Sequence, residues 1–127
     1  MKLTRLTSLP ARRAALAVWV VLLLVGSMLP PRVISPAMPR IPHFDLLLHF
    51  GGYGVLCFLA VWAWPGRRQL WLAAGVFAFG VLIEVVQPLT GRTMSALDAT
   101  ANGVGVAVGL LAVRLLRTSR AQPRQGP

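Results

Sequence analysis

Apolar residues along this chain fall into four long runs, with the polar and basic residues gathered at their ends. The runs cover about residues 14–29, 44–64, 70–87 and 97–116. Each approaches the roughly 20 residues that cross a bilayer. They are separated by Pro30-Pro31 and a stretch to residue 42 holding five prolines, by Pro65-Gly66-Arg67-Arg68, and by Pro88 and the loop after it. The pattern predicts an all-α fold, a polytopic four-transmembrane-helix bundle over residues 14–116. The proline-rich stretch is expected to be extended and non-helical, because proline restricts both itself and the residue before it. Residues 1–13 are expected as a basic cytoplasmic N-terminus and 117–127 as a disordered basic tail. A basic start, a short apolar core and the Gly26-Ser27 pair also fit a cleavable signal peptide, a competing reading of the first run.

Composition agrees with a membrane domain. The chain is 56% hydrophobic and 13% charged, against about 25% charged in a soluble domain. A net charge of +10 raises nucleic acid as a partner, but that needs a basic patch on a folded face. Here the basic residues flank the apolar runs, and nucleic acid is set aside. With four spans, ten of the thirteen basic residues fall on one face, leaving Arg32, Arg40 and Arg92 on the other. The positive-inside rule makes the crowded face cytoplasmic. Both termini are then inside, and Trp62, Trp64 and Trp71 form an aromatic belt at the inner turn. Cys57 is the sole cysteine and reads as a small buried hydrophobe.

Only three residues are acidic, Asp45, Glu84 and Asp98, and each lies in or beside an apolar run. Ionisable groups inside membrane segments are costly and point to function. With this topology all three come to the outer end of the bundle. Asp45 and His49 share a helical face, with Tyr53 below them. At the helical rise, His49 sits roughly 6 Å and Tyr53 roughly 12 Å deeper than Asp45. Glu84 and Gln87 end the third run. Asp98, Asn102, Gly105 and Gly109 line one face of the fourth, where a GxxxG allows close helix approach.

Plainer roles exist for most of these residues. Asp45 can answer a helix dipole, Ser95-Ala-Leu-Asp98 matches a capping box, and His49 and Tyr53 can be core residues. Glu84 lies a turn inside its helix, where capping does not explain it. Its expected partner is Arg92 or His49, with Glu84 and Arg92 as the central charge pair of the site. Asp45, His49, Glu84 and Asp98 are ligand types that gather around divalent cations. No HExxH or comparable spacing supports that, so no metal or cofactor is expected. No nucleophile elbow or phosphatase signature is present and no catalytic residue is assigned. The expected polar pocket comprises Asp45, His49, Tyr53, Glu84, Gln87, Arg92, Ser95, Asp98 and Asn102.

Taken together, three blocks resemble the VanZ-like family of small bacterial membrane proteins: Asp45-Leu-Leu-Leu-His49-Phe-Gly-Gly-Tyr53, Glu84-Val-Val-Gln87, and the segment from Gly91-Arg92 through Ser95, Asp98 and Asn102 to Gly105. Many members carry a lysine after the first aspartate, where this chain has Leu46. The resemblance covers roughly residues 44–110. It implies the same membrane architecture and a cell-envelope role, the family being named for a protein linked to resistance to the glycopeptide teicoplanin. It implies no catalytic residues. The expected partners are the lipid bilayer and an envelope lipid or lipophilic glycopeptide, with a second copy or another membrane protein left open. The alternatives are a membrane enzyme acting on a lipid-linked envelope precursor, with His49 and a carboxylate as acid and base, and a purely structural role.

Overall fold

The computed structural model describes residues 8–66 and 68–121. Its long helices are α1 (Leu9–Met28), α3 (Phe44–Ala63), α4 (Gln69–Val86) and α5 (Ala96–Ala121), with a single-turn α2 (Pro31–Ile34) after the first. No strand occurs among the described residues. Among the described residues four helices are long and apolar enough to cross a membrane, and the chain is an all-α, multi-pass membrane protein.

Three boundaries differ from the sequence pattern, each for a local reason. Helix α1 begins at Leu9, before the apolar run, because Ser8 Oγ accepts the Ala11 N–H at 3.4 Å and Pro10 sits in the first turn, where its missing N–H costs nothing. The proline-rich stretch is not wholly extended. It forms α2 and then a 3-10 turn (Ser35–Ala37), with prolines again at the first or second position of each. Helix α5 continues to Ala121, so residues 117–121 are helical rather than disordered. The expectations for residues 1–7, Arg67 and 122–127 lie outside the described residues.

Basic residues hold one end of the bundle together. Arg12 lies over the Trp62 ring at 4.9 Å and donates to the Trp62 carbonyl at 3.4 Å, while Arg13 lies over Trp64 at 5.7 Å. From the other terminus, Arg117 donates to the Val61 carbonyl at 2.7 Å and Arg114 to Gln69 Oε1 at 2.9 Å. The start of α1 and the end of α5 therefore both meet the C-terminal end of α3. Cationic side chains at a helix C-terminus answer its unpaired carbonyls and its dipole.

Helix α3 is central, and its principal partner is α5. The two backbones come close enough that a Cβ on Gly105 would collide with the Phe50 carbonyl, and one on Gly109 with the Gly54 carbonyl. The GxxxG face is thus a packing surface against α3. Tyr53, Leu56, Cys57, Val61, Val106 and Val113 fill the core. Helix α1 is peripheral, with Leu16 its sole buried residue.

Candidate functional site

The N-terminal end of α3, the C-terminal end of α4 and the start of α5 converge opposite the arginine-rich end. A polar cluster lies between them, centred on His49. Its Nδ1 is 3.0 Å from Asn102 Oδ1 and 3.5 Å from Glu84 Oε1, and its Nε2 is 3.6 Å from Asp98 Oδ2. One imidazole thus lies between two carboxylates from different helices. His49, Glu84, Asp98 and Asn102 are all buried.

Local structure at the start of α5 explains how Asp98 is available for this. Ser95 Oγ accepts the Asp98 N–H at 3.2 Å, half of the expected capping box. The returning half is absent. The Ser95 N–H donates instead to Glu84 Oε2 at 3.2 Å. Glu84 therefore ties the end of α4 to the start of α5 while its other oxygen faces His49. The expected Glu84–Arg92 charge pair is not formed. Glu84 instead lies against His49, and Arg92 makes no ion pair among the described residues. Arg92 follows a left-handed turn at Gly91 (φ 81°), which places its side chain along a cavity wall.

Gln87 is fully buried at the junction. Its carbonyl accepts Thr90 Oγ1 at 2.8 Å and the Arg92 N–H at 3.4 Å, and its side chain makes a long 3.5 Å contact to the Ser27 carbonyl of α1. Pro88 does not end the helical path, because the chain tightens into a 3-10 turn (Gln87–Thr90) that tolerates proline at its start. Tyr53 lies deeper, and its hydroxyl has no hydrogen-bond partner among the described residues. Its ring and Asn102 occupy space left by Gly80, where a Cβ would come within 2.8 Å of Tyr53 Cε1 and 3.1 Å of Asn102 Nδ2.

A cavity of about 520 Å³ adjoins the cluster, bounded mainly by α1 and α3. Trp19, Leu22, Leu23, Leu47 and Leu48 form its apolar wall, and Asp45, His49, Gln87 and Arg92 contribute polar groups. Asp45 is exposed and makes no hydrogen bond or ion pair among the described residues. Of the nine expected residues, His49, Glu84, Ser95, Asp98 and Asn102 form one connected network. Asp45, Tyr53, Gln87 and Arg92 line the adjoining cavity.

The contribution of α1 is what the sequence reading missed. Trp19 Nε1 donates to the Gly52 carbonyl at 2.9 Å, fixing the indole against α3 at the cavity wall. A tryptophan inside an otherwise aliphatic run was the available signal, since a buried indole N–H needs an acceptor. Compared with protein-family models, curated proteins and solved structures, the chain matches none.

Proposed function

We propose that this chain is a cell-envelope protein of a bacterial cytoplasmic membrane, with both termini inside and its polar cavity open at the outer face. In this reading the cavity contacts an amphiphilic envelope component, either an envelope lipid such as a lipid-linked precursor or, as the VanZ-like resemblance implies, a lipophilic glycopeptide of the teicoplanin type. One observation carries it: a cavity of about 520 Å³ combines an aliphatic and indole wall with Gln87, Arg92 and His49. That volume suits a small ligand site, where apolar walls supply area and a few polar groups fix orientation. An acyl or prenyl tail would lie along Leu22, Leu47 and Leu48, which are exposed on the helix flanks. Its anionic head would meet Arg92.

Tryptophan fluorescence tests this directly, because Trp19 lines the cavity. Titrating the nanodisc-embedded chain with teicoplanin and with a lipid-linked precursor is expected to give saturable quenching by at least one of them. Arg92→Ala is expected to weaken it about tenfold, the loss of one charged contact worth about 1.4 kcal/mol. Absence of saturable binding by either ligand, or equal binding by Arg92→Ala, would count against the reading.

A second reading rests on the placement of His49 between two carboxylates. That arrangement can take and return a proton, so the same cavity could support acid–base chemistry on a lipid-linked substrate. Turnover by purified protein, abolished in His49→Ala, would favour it.

A further inference from the structure

The polar cluster has too many acceptors for its protons. His49, Glu84 and Asp98 are 9%, 2% and 8% exposed. Glu84 Oε1 is buried and receives no hydrogen bond among the described residues. A neutral imidazole protonates one ring nitrogen and turns a lone pair outward from the other. Whichever nitrogen carries the proton here, the other faces a carboxylate oxygen, Glu84 Oε1 from Nδ1 at 3.5 Å or Asp98 Oδ2 from Nε2 at 3.6 Å. Acceptor then opposes acceptor inside a membrane bundle, where an unanswered charge is costly. A cation placed among them would answer both oxygens at once.

A metal ion can fill that role. The three side chains also offer one ligand atom each, all within 4.8 Å of one another. Two carboxylates balance a divalent charge, whereas one imidazolium leaves the cluster anionic. Arg92 does not make up the difference by an ion pair.

We propose that His49, Glu84 and Asp98 hold one divalent transition cation of the zinc type. One imidazole nitrogen with two carboxylate oxygens is a ligand set that zinc accepts, and three protein ligands leave a position for an exogenous oxygen. His49 also lines the cavity, so that position would be open to a ligand there. Asn102 Oδ1, 3.0 Å from Nδ1, orients the ring as outer-shell partners of metal-bound histidines do.

The test uses the full chain without a histidine tag and with His43→Ala, which leaves His49 as the one histidine. The protein is stripped with chelator in nanodiscs and titrated calorimetrically with zinc chloride. One Zn2+ per chain is expected, with saturable binding lost in Glu84→Gln and in Asp98→Asn, and weakened at least tenfold in Asn102→Leu. Should those variants fail to fold, cobalt substitution of the His43→Ala chain decides the matter. Visible absorption bands and a single imidazole in the X-ray absorption spectrum are expected. No saturable binding of zinc or cobalt, or binding that survives His49→Ala unchanged, would overturn the proposal.

Discussion

The Ser95 backbone N–H donates to Glu84, 3.2 Å away on another helix, and not to Asp98 three residues along its own. In a closed capping box the residue at the third helical position returns to this N–H and its carboxylate is spent locally. Here Glu84 takes that place, and Asp98 is left facing His49. One exchanged hydrogen bond thus joins α4 to α5 and gives the cluster its second carboxylate.

Glu84 therefore has a stability role that its replacements should separate. Glu84→Ala leaves the Ser95 N–H and one side of His49 unanswered. It is expected to cost about 3 kcal/mol, the upper end of the scale for leaving a buried donor without its acceptor. Glu84→Gln keeps an acceptor for Ser95 and should cost less, about 1.5 kcal/mol for the lost charge-assisted interaction. Thermal unfolding in detergent reads both. Equal effects of the two variants would show that the Ser95 contact contributes little.

Helix α5 should tolerate no side chain where it meets α3. Gly105→Leu drives a Cβ into the Phe50 carbonyl, backbone that cannot yield without separating the helices. A loss of about 3 kcal/mol or more is expected from overpacking. Gly51→Ala is the matched control on α3, since a Cβ there meets nothing within 4 Å. Melting temperatures should fall sharply for the first variant and stay within error for the second.

Gly80 should act on the site from below. Gly80→Ala pushes on Tyr53 and Asn102 together, and Asn102 orients His49. A loss of about 1–3 kcal/mol is expected, with a shift of the His49 ring resonances in NMR spectra. Unchanged resonances would mean that Asn102 does not transmit the displacement.

Trp19→Phe keeps the aromatic wall and removes the bond to the Gly52 carbonyl. About 1 kcal/mol of stability should be lost. Cysteine crosslinking between α1 and α3 would also become less efficient as the indole anchor is released.

Much of this was legible in the sequence because membrane physics leaves strong marks. Four apolar runs, the GxxxG of α5 and the exclusion of acids from all but three positions placed the helices and gathered the cluster at one end. Less legible was anything set by a choice between partners. Glu84 had two candidate partners, Arg92 in the loop just after its helix and His49 on another helix, and only packing chose His49. The capping box at Ser95 read as closed because its competitor sits eleven residues earlier on another helix. Arg12 and Arg13 read as flanking charges, yet they lie within α1 and over the Trp62 and Trp64 rings. The single turn at α2 was hidden by prolines, which forbid helix interiors but suit helix starts.

The proposed function depends most on the side of the membrane to which the polar end opens. Thr93→Cys in a Cys57→Ser background tests it, Thr93 being exposed in the Arg92 loop, while Gly91 has a left-handed backbone unsuited to a side chain. Intact cells would be treated with a membrane-impermeant maleimide. Labelling before lysis is the predicted result, placing Arg92 and the cavity at the outer face. Protection until the cells are broken would turn the cluster toward the cytoplasm and contradict an outward-facing site for an envelope amphiphile.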